Sequence, residues 1–173
     1  MDIKRIIGDY AVFFSDVLCR IKQIDIEVAG SPVSHLTYRT ATNSEYEKMR
    51  DELNMECGEF VETQFNGRAV SILVLKNPLI LEGGSIVPVI ELTAPRPVHL
   101  YPSGLESVGW VIGEKLSEFN EQHKKQLTGI KDHGEYCKPS FVTFDNGKTA
   151  KFYDLSLVEI VTLRGWKLES FKN

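Results

Sequence analysis

Three polar residues alternate along one short stretch of the chain: His35, Thr37 and Arg39, within SHLTYR. Alternate residues of an extended strand share a face, so these three project together while Leu36 and Tyr38 project the other way. An imidazole, a hydroxyl and a guanidinium on one face of an interior strand need water, partners or a ligand. A second apolar run, residues 86–93, carries a single carboxylate, Glu91, on the face expected to include Val87 and Val89. A carboxylate there is seldom buried unpaired. A third run, residues 149–153, sets Lys151 and Tyr153 opposite Ala150 and Phe152. Imidazole and carboxylate together can hold a divalent cation or move a proton. Arg39, Lys151 and Arg68 can hold a small carboxylate, and arginine does so through a planar fork. Polar groups converging within an apolar sheet mark a site. Two of them also have internal alternatives: Arg39 can pair with Glu91, and Arg68 can be a solvated turn residue.

The elements that must position these residues are legible from periodicity. Ile3, Ile6, Ile7, Tyr10, Phe13, Phe14, Val17, Leu18, Ile21 and Ile24 keep helical spacing, which predicts one amphipathic helix of about six turns. Residues 33–40 read as a strand. Thr42 and Glu45 have capping-box spacing for a helix to about Glu56, buried through Tyr46, Met49 and Leu53. Strands follow at 58–65, 70–75 and 86–93, with Asn66-Gly67 as a hairpin turn between the first two. Pro88 inside the last of them predicts an edge or a bulge. After a Pro-rich connector at 94–104 the order returns. A strand at 105–112 is followed by a helix at 114–127, then weak strand material at 131–137. Strands at 141–144 and 149–153 flank the turn Asp145-Asn146-Gly147, and Ser156 with Glu159 caps a final short helix to Val161. The order β-α-β-β-β therefore appears twice.

Composition narrows the classes. The chain has 173 residues, 42% of them hydrophobic, enough for one domain with its own core. Its net charge of −4 and the lack of a basic cluster argue against a nucleic-acid partner. Cys19, Cys57 and Cys137 are odd in number, widely spaced and without a C-x-x-C, so neither a disulfide framework nor a thiolate metal site is expected. Charges interrupt the N-terminal apolar stretch, which predicts no signal peptide, no membrane span and a cytoplasmic protein. Phosphate-loop, dinucleotide-binding and nucleophile-elbow motifs are missing from the sequence.

Residues 34–39, the run Ile90-Glu91-Leu92-Thr93 and the strand from Glu106 to Ile112 resemble the vicinal-oxygen-chelate (glyoxalase/bleomycin-resistance) superfamily. Within it, the chain is similar to the YecM-like branch. The matching pieces are His35 to Arg39, Asn66-Gly67-Arg68, Glu91-Leu92, Tyr101-Pro102, Gly104 with Glu106, and Asp145 to Phe152. The resemblance implies an α+β fold of two βαβββ modules forming a cupped mixed sheet, with the N-terminal helix packed outside. The expected organisation is a helix at 1–32, modules at 33–93 and 105–161, a connector at 94–104 and a tail at 162–173.

The resemblance also implies a divalent metal ion (zinc, nickel, manganese or iron) held by one ligand from each of four strands. His35 and Glu91 fill two of those positions, and the others fall at Ser107 and Tyr153. Glu106 lies next to the third position and joins the expected metal ligands if a bulge re-aims it. His99 or His133 could also complete the set. Three readings follow. The first is a metal-dependent enzyme acting on a small carboxylate or keto substrate, with Glu91 or Tyr153 moving a proton and Thr37, Arg39, Arg68 and Lys151 binding substrate. The second is a metal-free protein that binds a small anion in the same cup. The third is an interaction module that dimerises through the N-terminal helix and the tail around Trp166.

Overall fold

A computed structural model describes residues 3–96, 102–131 and 135–170. His99, Tyr101 and His133 lie outside the described residues. The first module runs β1 (Val33–Arg39), α3 (Asn43–Asn54), β2 (Cys57–Phe65), β3 (Arg68–Ile80) and β4 (Ile86–Thr93). The second runs β5 (Gly104–Val111), α4 (Leu116–Gln122), β6 (Gly129–Ile130), β7 (Ser140–Thr143) and β8 (Thr149–Tyr153). In each, the first and last strands pair in parallel and the others follow as antiparallel neighbours. The two modules join through β1 and β5, antiparallel at the centre of one sheet. Its strand order is β6-β7-β8-β5-β1-β4-β3-β2-β9, where β9 (Glu169–Ser170) adds to the edge at β2. The expected α+β fold of two cupped βαβββ modules is what the chain adopts.

The expected six-turn helix is two helices, α1 (Ile3–Ile7) and α2 (Tyr10–Gln23). Gly8 has φ +83°, where a helix cannot continue, and Asp9 caps α2 by accepting from the Val12 N–H. The apolar stripe is nonetheless continuous across the break. Ile3, Ile7, Phe13, Phe14, Val17 and Ile21 all join the large core on one face of the sheet, with residues of α3 and α4. The opposite face carries a smaller cluster, in which Leu157 and Val161 of α5 (Leu157–Leu163) pack on Val70, Ile72 and Val89. The layers are therefore four helices, a sheet, and a fifth helix with its tail. Among the described residues no helix is long and apolar enough to cross a membrane.

Other local expectations divide on turn chemistry. Asn66 and Gly67 both have positive φ and close the tight turn between β2 and β3. Ser156 and Glu159 form the full capping box of α5. Thr42 caps α3, but the Glu45 carboxylate accepts from Ala41 and Ser103 instead of Thr42. β3 runs on to Ile80 across an irregularity between Val74 and Leu79, which lies opposite Pro88 in the interior strand β4. Pro88 thus sits at a bulge, and the shift moves Val87 into the large core while Val89 stays on the other face. The helix expected at 114–127 is only α4, entered through a 3₁₀ turn at Gly113–Lys115. The second-module edge strand is β6, two residues long and earlier than the expected 131–137.

Candidate functional site

Register alone assembles the site. Thr37 of β1 lies between Glu91 of β4 and Ser107 of β5 in one row across the sheet. One row along, His35 faces Gly109 of β5, and Gly109 faces Lys151 of β8. At the other end, Arg39 of β1 lies beside Gly104 and Thr93. All these side chains project away from the four-helix layer, as the alternation of β1 predicts. Of these, Thr37, Arg39, Glu91 and Lys151 line a cleft of about 250 Å³ between the sheet and α5 with its tail, and His35 and Ser107 lie buried beneath them.

At its floor is a buried polar chain. The Ser107 hydroxyl donates to Thr37 Oγ1 at 2.7 Å, and Thr37 donates to Glu91 Oε2 at 2.7 Å. His35 is fully buried, with Nδ1 2.9 Å from Ser34 Oγ and Nε2 3.8 Å from Glu91 Oε2. Ser34 Oγ also accepts the Leu157 N–H at the start of α5, which leaves its own proton available to His35 Nδ1. In that arrangement Nε2 carries the ring proton and presents it to Glu91. Tyr153 closes the side, its ring edge-on to His35 with centroids 5.4 Å apart.

Burial pulls the His35 pKa down to about 4, outweighing Glu91, which favours the charged ring; Lys151 adds to the fall. His35 is therefore neutral at pH 7, and its contact with Glu91 is not an ion pair. Burial alone would raise Glu91, but Lys151, His35, the Thr37 hydrogen bond and Arg68 hold its carboxyl below the ordinary value. Glu91 is ionised, its side chain is 19% exposed to the cleft, and its Oε1 accepts no hydrogen bond among the described residues. Burial raises the Tyr153 phenol well above its usual value, with Glu91 adding to the effect, so it stays protonated.

The room for His35 is supplied by Gly109. A Cβ there would lie 2.6 Å from His35 Cε1 and 3.1 Å from Tyr153 Cε2. Gly109→Ala is therefore expected to force the imidazole or its tyrosine wall aside, at about 1–3 kcal/mol of stability. Urea unfolding and the His35 ring resonances in NMR check this. An unshifted imidazole in a fully stable variant would contradict it.

Glu106 enters the cleft by a bulge. β5 pairs Ser107 with Thr37 but Leu105 with Tyr38, so Glu106 is the extra residue and turns inward beside Ser107. There it accepts a charge-assisted hydrogen bond from Arg39. That corrects the expected Arg39–Glu91 pair: the partner is Glu106. It also leaves Glu106 out of the group formed by His35 and Glu91. Among the described residues no three His, Cys, Asp or Glu side chains gather to hold a metal ion. Ser107 has its proton committed to Thr37, and Tyr153 is a protonated phenol. The residues present supply two donors of the expected four and do not fit a resident divalent metal.

The cleft is instead rich in cations. Arg39, Arg68, Arg96, Lys131, Lys151 and Arg164 line it, against the carboxylates Glu91 and Glu106. Arg68 donates to the Ala94 carbonyl at 3.4 Å, and its Nε has no partner among the described residues. The sequence pointed to Arg39, Arg68 and Lys151. It does not single out Arg96, Lys131 or Arg164 as site residues, because they lie in the connector, the weak strand region and the tail, where no period fixes a face. Apolar walls come from Val70 and Ile72 on one side and Ile160, Val161 and Trp166 on the other.

No curated protein matches the chain. A structural-genomics structure of a protein called EC4020 superposes with a TM-score of 0.76 at 20% identity, covering 94% of this chain and 93% of its own. A candidate dioxygenase from Bacillus subtilis subsp. subtilis str. 168 gives a TM-score of 0.46 at 9% identity, over 73% of this chain and 41% of that one. A mutant 4-hydroxymandelate synthase from Streptomyces coelicolor gives 0.35 at 10% identity, over 78% and 55%. The side-by-side βαβββ modules are the vicinal-oxygen-chelate arrangement that the sequence resemblance implies. Residues 2–138 match the family model described as YecM protein, and the chain belongs to that family.

Proposed function

We propose that the cleft binds a small, oxygen-rich organic anion, a carboxylate or keto acid, and presents it to Glu91 as proton acceptor. The observation that carries this is the charge of the cleft: six cationic side chains against two carboxylates, in a chain whose net charge is −4. Such a concentration of one sign inside low-dielectric walls draws in the opposite charge. Arg39 and Glu106 neutralise each other, which among the described residues leaves Glu91 as the one carboxylate facing the remaining cations. An ionised carboxylate with one oxygen open to the cleft is placed to take a proton from a bound acid. Neutral His35 lies 3.8 Å from the carboxylate's other oxygen, and protonated Tyr153 stands against His35.

Metal-dependent chemistry, with a divalent ion on His35 and Glu91 and with Glu106 joining only if it leaves Arg39, is the second reading. The His35 Nε2 atom favours it, since it has no hydrogen-bond partner among the described residues and becomes a free lone-pair donor in the other ring tautomer. The dimer reading has less support, because the stripe of α1 and α2 is spent on the chain's own core and Trp166 packs on the α5 cluster.

The deciding experiment is thermal unfolding with pyruvate or acetate added, with and without a chelator, on protein whose bound metal has been measured. Wild type is expected to be stabilised in both conditions. Glu91→Gln keeps the shape and the Thr37 hydrogen bond while removing the opposing charge, so it should bind the anion about three- to tenfold more tightly. No stabilisation by either anion would sink the proposal. Stoichiometric metal, with stabilisation lost on chelation, would replace it by the metal reading.

A further inference from the structure

Besides Arg39, which pairs with Glu106, and Arg164, which stacks on Trp166, the cleft holds four cations among the described residues, and their outer members are far apart. On the second-module side, Lys151 projects from β8, and Lys131 follows β6 where its N–H bonds Pro139 beside β7. At the far end, Arg68 opens β3 past the Arg39–Glu106 pair, while Arg96, beyond the end of β4, lies within electrostatic reach of both Arg68 and Lys131. The rows of His35 and Arg39 are four residues apart on β1, about 13 Å of strand. Lys151 belongs to the first of these rows and Arg68 lies past the second. Glu91 lies between them.

None of Arg68, Arg96, Lys131 and Lys151 has a carboxylate within ion-pair distance among the described residues. Each end also contains like charges held close together. Loss of hydration, followed by repulsion from Arg39 and Arg96, lowers the Arg68 pKa. Loss of hydration, followed by repulsion from Lys151 and, to a smaller extent, from Arg96, lowers Lys131. A ligand with a single negative charge would relieve one pole and leave the other uncompensated. Two anionic groups bridging the poles would relieve both, one against lysine ammonium groups and one against the planar forks of arginine.

We infer that the ligand of this cleft carries at least two negative groups, one for the Lys131–Lys151 pole and one for the arginine pole at Arg68, with Arg96 between them. The class is a dicarboxylate or a phosphorylated carboxylate of short chain length. This rests on the anion-binding reading and narrows its substrate.

Calorimetric titration with glutarate and with pentanoate tests it, because the two share a carbon count and differ by one carboxylate. Glutarate is expected to bind at least about tenfold more tightly than pentanoate at equal ionic strength. Lys151→Met and Arg68→Met should each bring glutarate down toward the affinity of pentanoate. Circular dichroism on both variants confirms that they fold. Equal binding of glutarate and pentanoate would overturn the two-pole inference and leave the anion site standing. Glutarate binding that neither variant weakens would overturn it too. No binding of either compound would remove both.

Discussion

Trp110→Ala should cost about 3–5 kcal/mol of stability, as expected for emptying a large aromatic site in a core that cannot collapse around it. Trp110 is 1% exposed and sits on β5, the strand that joins the two modules. Its ring packs 5.9 Å from Phe14 of α2 and 6.1 Å from Phe152 of β8, and Phe152 in turn meets Phe119 of α4 at 4.7 Å. One side chain thus ties α2 to β5 and β8. In a domain of this size the loss corresponds to about 10 °C in Tm. The consequence reaches the cleft, because Trp110 is the neighbour of Gly109 on the opposite face of the same strand. Relaxation toward the cavity would shift the backbone that gives His35 its space. Denaturant midpoints of the variant measure the cost, and a change below about 1 kcal/mol would show that the seam is not held by this cluster.

The sequence carried the module order and the floor of the site for a single reason: both depend on strand alternation, a local property. His35, Thr37, Arg39, Glu91, Lys151 and Tyr153 line up because period 2 fixes their face and register supplies their neighbours. What periodicity could not show was where it fails. The bulge that turns Glu106 inward beside Ser107 depends on how β5 pairs with β1, which no single strand reveals. The same is true of the shift at Pro88 that separates Val87 from Val89. Once Glu106 is inside, it takes Arg39, and the ion pair expected with Glu91 does not form. The break at Gly8 leaves no mark on the apolar stripe, which continues through it; only the positive φ interrupts the helix. Arg96, Lys131 and Arg164 reach the cleft from connectors, where tertiary packing alone decides direction.

Stability should fall by about 3 kcal/mol as pH drops from about 7 to about 4, and His35 should account for most of that fall. Its folded pKa of about 4 lies well below the ordinary 6.5. Above the ordinary value the ring is neutral in both states and contributes no difference. Between the two values the unfolded chain takes up a proton that the folded chain refuses, so unfolding is favoured increasingly as pH falls. Below about 4 both states are charged and the penalty is fully developed. Groups facing the ring act in both directions. Burial dominates, Glu91 at 3.8 Å opposes it, and Lys151 reinforces it, while Tyr153 and Ser34 remain uncharged. Glu91 does not produce the same window. Its folded pKa is below 4.5, so its stabilising charge is lost only at the acid end, as pH falls through that lower value. His35→Gln retains a polar side chain that does not titrate, and urea unfolding across the range should show it losing far less stability than wild type. Parallel curves for the two proteins would mean that folded His35 accepts its proton near the ordinary pKa. The ring would then form an ion pair with Glu91, and the neutral floor on which the proton-acceptor role rests would be lost.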